Sequence, residues 1–156
     1  MNAKVNYIPA GYHTVTPYLI VNGVARAIDF YKQAFGATEV VRIAGPGGKI
    51  GHAEIKIGDS RIMLADEFPE MDARGPQTIG GTPVGLMLYF EDADAVTARA
   101  ISAGAKVLRP VQDQFYGDRS GTIADPFGHK WTIATHKEDL APEEIQERFA
   151  SMFLKK

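Results

Sequence analysis

Cysteine is missing from this sequence of 156 residues. Its absence excludes a disulfide framework, a thiolate metal site and a thiol nucleophile. Long apolar runs are missing too, and none approaches the ~20 residues that a membrane-spanning helix needs. Because the first residues also lack the apolar core of a signal peptide, we expect a cytoplasmic protein that has no membrane partner.

The chain carries no excess of positive charge. Its 17 basic residues are balanced by 19 acidic ones, which leaves a net charge of −2. A nucleic-acid partner normally requires a strongly basic surface, so we expect none. The length suits one domain with one substantial core, and a hydrophobic content of 45% is that of an ordinary globular protein.

Apolar periodicity divides the first half of the chain into a strand, a helix and three further strands. Residues 14–21 alternate as a strand does, and residues 24–35 carry an apolar stripe at helical spacing. The strands that follow are predicted at residues 38–43, 50–57 and 61–65. Residues 44–48, with the sequence AGPGG, predict a turn between the first two of them.

The same order of elements recurs in the second half. A strand at residues 84–90 and a helix at 93–103 precede strands at residues 106–111, 121–124 and 130–135. Gly36-Ala37 after the first helix matches Gly104-Ala105 after the second. The repeat predicts an internally duplicated α+β fold that is built from two βαβββ modules.

Two segments lie outside the repeat. Residues 66–83 are rich in glycine and proline and form a long connection, which predicts either a lid over a site or a plain linker. Residues 142–154 predict a C-terminal helix, because Pro142 suits a first helical turn and two glutamates follow it. Its apolar face has to cover this domain or a partner, and consists of Ile145, Phe149, Met152 and Phe153.

Three segments resemble one known family. TPYLIVNGVARAIDFYKQAFGA (16–37), GHAEIKIGDSRIMLAD (51–66) and YGDRSGTIADPFGHKWTIATHKED (116–139) are similar to the glyoxalase / bleomycin-resistance / dioxygenase (vicinal oxygen chelate) superfamily, in its PhnB-like branch. The resemblance implies βαβββ modules whose curved sheets surround a cavity, often in a homodimer. We therefore expect one domain over residues 1–156, with module one at 12–66, a linker at 67–83, module two at 84–137 and a helix at 142–154.

Metal-dependent members of that superfamily place four His, Gln or Glu ligands on strands of the two modules. Alignment through the quoted motifs puts at these positions Thr16, Glu54, Gly85 and Thr132. Only the glutamate is an ordinary ligand, because glycine has no side-chain donor and a lone threonine hydroxyl is a poor one. We expect no cofactor and no metal. The alternative is a divalent metal that is held by a displaced set of His52, Glu54 and His136.

Alternation along the strands predicts which side chains face the cavity. That face mixes aromatic, titratable and small side chains, as a small-molecule site does. It consists of Thr16, Tyr18, His52, Glu54, Met87, Tyr89, Thr132 and Ala134. The opposite parity predicts that Val15 faces the helix and that Trp131 lies in the core.

His52 and Glu54 are the candidate catalytic dyad. They share one strand face, so the carboxylate can set the tautomer or raise the pKa of the imidazole, as a general base requires. The alternative is a solvated or dimer-facing pair that only balances charge.

Tyr116 and Arg119 are further candidates for ligand binding. They precede the last hairpin, where a loop can overhang the cavity, and a guanidinium offers a planar fork to a carboxylate or phosphate. The alternative is an internal contact between Asp118 and Arg119 that fixes the loop.

The sequence is compatible with three functions. The first is a metal-free protein that binds a small molecule, which the sequence does not name. The second is a metal-dependent lyase, isomerase or dioxygenase that uses the displaced ligand set. The third is a structural or regulatory dimer that retains a vestigial cavity.

Overall fold

A computed structural model describes residues 4–154 of the chain. These residues contain eight strands and four α-helices. The chain divides into two units between Gly80 and Gly81. Each unit contains one four-stranded sheet. Within residues 4–154, every helix is too short or too polar to span a bilayer.

The first unit is a βαβββ module. Its elements are β1 (Tyr18–Val21), α1 (Val24–Phe35), β2 (Thr38–Ala44), β3 (Ile50–Ile57) and β4 (Ser60–Asp66). The sheet order is β1-β4-β3-β2, in which β1 runs parallel to β4 and the other neighbours are antiparallel. Helix α1 packs on β3 and β4. The core lies between helix and sheet, and its fully buried large side chains include Val21, Val24, Ile28, Tyr31, Ile55 and Leu64.

Helix α1 follows a residue that has no side chain with which to cap it. The missing acceptor comes from Asp66 at the end of β4. Its Oδ1 accepts from the N–H groups of Gly23 and Val24 at 2.9 and 3.0 Å. Its Oδ2 accepts from the N–H of Ile50 at 2.7 Å. One carboxylate therefore joins the start of the helix to the start of β3.

The connection after β4 is a folded segment. It forms a 3₁₀ turn at Pro69–Met71 and the short helix α2 (Pro76–Ile79). Oε1 of Glu67 accepts from the N–H of Gly75 at 2.6 Å. A Cβ at Gly75 would lie 2.9 Å from the carbonyl oxygen of Ile20, so glycine is what lets the segment approach β1 this closely.

The second unit repeats the order of the first. Its elements are β5 (Gly85–Tyr89), α3 (Ala93–Ser102), β6 (Lys106–Asp113), β7 (Asp118–Ala124) and β8 (Lys130–His136). The sheet order β5-β8-β7-β6 matches that of the first unit. Near the end of β8, the hydroxyl of Thr135 accepts from the N–H of Ala93 at 2.9 Å and so helps to cap α3. The predicted α+β fold of two βαβββ modules is confirmed.

The C-terminal helix α4 (Pro142–Leu154) has the predicted bounds. Phe149 packs on Phe115 with ring centroids 5.2 Å apart, and Arg148 pairs with Glu138. None of the residues 142–154 is buried, and Phe153 is 64% exposed. The apolar face of α4 therefore remains largely open to solvent.

The DPFGHKW segment, which carries much of the family resemblance, is a structural turn. Oδ1 of Asp125 accepts from the N–H groups of Phe127 and His129 at 2.9 and 3.0 Å. Its Oδ2 accepts from Nε1 of Trp131 at 2.8 Å. Trp131 is fully buried, so the prediction that it lies in the core is confirmed.

The prediction of the first strand was wrong at its start. β1 begins at Tyr18 instead of residue 14, and Val15 is 83% exposed instead of facing the helix. The physical reason is Pro17, which has no N–H to donate to a ladder and restricts the backbone of Thr16. The pairing of β1 with β4 therefore starts at Tyr18, directly after Pro17.

Two smaller expectations also need correction. Ala134, which was expected on the cavity face, is fully buried. β6 reaches Asp113 and β7 already begins at Asp118, so this hairpin is longer than its apolar alternation indicates. Polar residues occupy its extension, where alternation gives no signal.

His136 links three parts of the second unit. Its Nδ1 lies 2.7 Å from Oδ1 of Asp118 on β7, and its Nε2 lies 2.8 Å from Oδ1 of Asp139 after β8. Tyr89 on β5 donates to Oδ2 of Asp118 at 3.3 Å. Asp139, and then Asp118, raises the pKa of His136, because both carboxylates favour the charged imidazolium.

Asp66→Ala should lower the free energy of unfolding by about 2–3 kcal/mol, because three backbone N–H groups lose a charged acceptor. Urea denaturation followed by circular dichroism measures this change. Asp29→Ala is the control, since Asp29 is exposed on α1, and its effect should stay below about 0.5 kcal/mol. Equal stability of the two variants would contradict the role of Asp66.

His136 should make the protein more stable at lower pH within the range where it titrates. Its folded-state pKa lies above the unfolded value of about 6.5. The stabilisation is therefore fully present below that value and is lost as the pH rises through the raised pKa. Proton NMR should give His136 a pKa above 6.5 that falls in Asp139→Asn. His129→Gln, as a control, should leave it unchanged, and an ordinary His136 pKa in the parent protein would refute the assignment.

Candidate functional site

Tyr18, His52 and Glu54 form a line of hydrogen bonds in the first unit. The Tyr18 hydroxyl lies 2.9 Å from Nδ1 of His52, and Nε2 of His52 lies 3.1 Å from Oε1 of Glu54. Tyr18 stands at the start of β1, while the other two residues share one face of β3. The predicted pairing of His52 with Glu54 is therefore present, and Tyr18 extends it.

Glu54 is held as a carboxylate. The Tyr12 hydroxyl, and then the His52 imidazole, lowers the pKa of Glu54 by favouring its charged form, and the nearby Arg61 acts in the same direction. Burial, and then the charge of Glu54, raises the pKa of Tyr18. The line thus joins a phenol whose pKa is raised to a carboxylate whose pKa is lowered, with the His52 ring between them.

Tyr12 and Arg61 cover the Glu54 end of this line. The Arg61 guanidinium lies 5.2 Å from the centroid of the Tyr12 ring. A Cβ at Gly11 would lie 2.8 Å from an Arg61 nitrogen, so the chain before β1 packs tightly on this side chain. The Tyr12 hydroxyl is buried beside Glu54 but completes no hydrogen bond of good geometry. The sequence prediction did not include Tyr12 or Arg61.

A pocket of about 710 Å³ lies beside Tyr18 in the first unit. Strands β1, β3 and β4 supply one part of its wall, and the turn before β3 and the connection after β4 supply the rest. The lining is mostly apolar. It consists of Tyr18, Ile20, Pro46, Gly47, Lys49, Gly51, Ala65, Phe68, Glu70, Met71 and Ala73.

Lys49 ties the two loop walls of the pocket together. Its Nζ donates to the carbonyl oxygen of Glu67 at 2.7 Å and lies 5.0 Å from the centroid of the Phe68 ring. Both contacts hold the ammonium group against the segment that follows β4. The position of that segment at the pocket favours the predicted lid over the plain linker.

The other predicted site residues lie elsewhere. Thr16 is half-buried just before β1. Met87 and Tyr89 are exposed on β5 of the second unit. Thr132 pairs its hydroxyl with that of Thr122 at 3.0 Å. Of the ligand-binding candidates, only Tyr18 therefore lines the 710 Å³ pocket.

Tyr116 and Arg119 are engaged within the second unit. The Tyr116 hydroxyl lies 3.2 Å from Oγ of Ser120. Arg119 binds both carboxylate oxygens of Asp94 at 2.6 and 3.0 Å and also donates to Asp113 at 3.2 Å. The predicted alternative, a contact between Arg119 and its neighbour Asp118, was wrong. The internal role that it implied is present, but the partners of Arg119 are Asp94 and Asp113.

The residues at the family's metal positions do not form a matching donor set. Gly85 offers no side chain, the Thr132 hydroxyl is paired with Thr122, and Glu54 is engaged by His52. Within residues 4–154, no three His, Asp or Glu side chains converge in a way that would hold a metal ion. His136, from the displaced set, lies in the second unit between two carboxylates.

Comparison with known proteins gives the same family. The family model described as the Glyoxalase/Bleomycin resistance protein/Dioxygenase superfamily matches residues 11–133. The protein Rv0887c of Mycobacterium tuberculosis is 41% identical over 150 residues, which cover 94% of this chain and 86% of that protein. The anthracycline biosynthesis protein DnrV of Streptomyces peucetius is 30% identical over 118 residues, which cover 70% of this chain and 42% of that protein.

The fold has solved relatives as well. The crystal structure of the At5g48480 product of Arabidopsis thaliana superposes with a TM-score of 0.64 at 27% identity, and the match covers 79% of this chain and 98% of the plant protein. The sequence match and the structural match thus each cover most of the chain. The chain belongs to the glyoxalase/bleomycin resistance protein/dioxygenase superfamily.

Proposed function

We propose that this protein binds a small, largely apolar molecule in the pocket of the first unit, without a metal. The observation that carries the proposal is the pocket itself. Its volume of about 710 Å³ lies within the range of roughly 300–1,000 Å³ that is usual for small-molecule sites. Apolar walls with a few placed polar groups are also what such sites have.

The pocket walls are well supported. Glu67 fixes the connection after β4 through Gly75, and Lys49 joins that connection to the turn before β3. A preformed wall reduces the entropy that a ligand has to overcome on binding. This favours a binding function over a vestigial cavity, which would be filled by its own side chains.

The metal-free part of the proposal depends on the donor set. Of the four aligned ligand positions, only Glu54 carries a carboxylate, and that carboxylate is engaged by His52. A divalent ion would have to compete with this pairing and find its other donors among poor ligands. The residues at these positions therefore do not fit a divalent metal site.

We also propose that the protein is a cytoplasmic homodimer. Helix α4 leaves Phe149, Met152 and Phe153 between 43% and 64% exposed. A contiguous apolar helix face of this kind is typical of protein contacts. Light scattering of the purified protein measures its molecular mass, and a monomer at micromolar concentration would remove this part of the proposal.

Proton transfer is a second candidate function. It is favoured by the line from Glu54 through His52 to Tyr18, because that line ends at the pocket. A carboxylate that orients an imidazole is a common arrangement for general-base catalysis. The reactant would occupy the same pocket, so ligand binding is the property to establish first.

Ala73→Trp should abolish binding of apolar aromatic compounds, because the indole would occupy the pocket. Ala25→Trp is the matched control, since Ala25 is exposed on α1 and does not line the pocket. Thermal shift and fluorescence titration with an anthracycline and with smaller naphthalene derivatives measure the effect. The parent protein and Ala25→Trp should bind, and equal binding by all three would disprove the proposed pocket.

Protein purified without added metal should contain far less than one equivalent of zinc, nickel, manganese or iron and should still bind its aromatic ligand. Plasma mass spectrometry measures the metal content, and a chelator should not change the affinity. Stoichiometric metal that disappears in Glu54→Gln would overturn the metal-free proposal and favour a metal-dependent lyase, isomerase or dioxygenase.

A further inference from the structure

Tyr18 belongs to both the pocket and the hydrogen-bond line. Its side chain lines the pocket, and its hydroxyl lies 2.9 Å from Nδ1 of His52. A phenolic hydroxyl has one hydrogen to donate and lone pairs with which to accept. The direction of that single hydrogen determines what Tyr18 offers to a ligand.

The direction follows from the acceptor at the other end of the line. The Glu54 carboxylate can only accept, so the hydrogen in the 3.1 Å contact comes from Nε2 of His52. A neutral imidazole with its hydrogen on Nε2 has a lone pair on Nδ1. With His52 in this neutral form, the Tyr18 hydroxyl donates to Nδ1 across the 2.9 Å contact. Its oxygen then keeps only lone pairs for the pocket.

From this arrangement we infer that Tyr18 selects ligands that carry a hydrogen-bond donor, a hydroxyl or amino group on an aromatic body. The inference rests on the proposed function, because it assigns the polarity of the same pocket. A ligand that has only an acceptor at this point would place lone pairs against the lone pairs of Tyr18. Such a ligand loses the hydrogen bond and leaves polar groups unpaired.

Lys49 makes the polarity of the pocket asymmetric. Its ammonium group can only donate, and it is held at a loop wall by Glu67 and Phe68. A ligand acceptor can therefore bind near Lys49, while a ligand donor binds at Tyr18. For this reason, the test compares ligands that differ in one hydrogen and reads the difference at Tyr18 itself.

Two probes of almost equal shape test the inference. 1-Naphthol carries a hydroxyl donor, whereas 1-methoxynaphthalene has only an acceptor at the same position. Fluorescence titration of the full chain should show about fivefold tighter binding of 1-naphthol. Tyr18→Phe keeps the ring but removes the acceptor, so the two probes should then bind equally.

His52→Phe tests the source of the polarity. Without Nδ1 as an acceptor, the Tyr18 hydroxyl is free to donate into the pocket, and the preference should move towards 1-methoxynaphthalene. His129→Phe makes the same exchange in the second unit and should retain the preference for 1-naphthol. A structural role of His52 alone would weaken both probes together and leave their ratio unchanged.

The outcomes distinguish the donor selectivity of Tyr18 from the proposed binding function of the pocket. If both probes bind, Ala73→Trp excludes both, and the parent protein shows no preference, the donor selectivity is wrong and the pocket function stands. A preference for 1-naphthol that persists in Tyr18→Phe would also overturn the inference. If Ala73→Trp does not affect the binding of either probe, the proposed function fails and the inference fails with it.

Discussion

The carboxylate of Asp66 accepts three backbone hydrogen bonds from two elements that are far apart in the sequence. It fixes the start of α1 relative to the start of β3, and its own strand lies between β1 and β3 in the sheet. The positions of Lys49 and Gly51 at the pocket, and of His52 one residue further on, follow from that attachment. The pocket wall thus depends on a half-buried structural contact made by a residue that does not itself line the pocket.

Periodicity predicted the order of elements because each strand and helix has one apolar face that must be covered. It failed at residues 14–17, where alternation continues although Pro17 prevents the ladder from forming. It also could not place the pocket. The loop walls depend on single contacts, Glu67 to Gly75 and Lys49 to Phe68, and such contacts leave no repeating pattern in a sequence. The unusual length of the connection was the one available signal.

The two units use one backbone plan and different polar chemistry. Asp66 and Thr135, near the ends of the last strands of their sheets, both accept from the start of the helix. A tyrosine on the first strand enters a polar cluster in each unit, but Tyr18 contacts a histidine and Tyr89 contacts the buried Asp118. The duplication therefore preserved the contacts that position helices on sheets, whereas the side chains on the other strand face diverged.

The same divergence explains why family membership does not decide function here. The aligned metal positions retain one carboxylate, Glu54, and this carboxylate forms the end of the hydrogen-bond line through His52. A carboxylate in a metal site binds the ion through its negative charge. Glu54 instead accepts a hydrogen bond from Nε2 of His52. It thereby fixes which nitrogen of His52 is a donor, and hence the direction of the Tyr18 hydroxyl hydrogen. Glu54 thus sets the chemistry of Tyr18 at the pocket wall through His52, although Glu54 itself does not line the pocket.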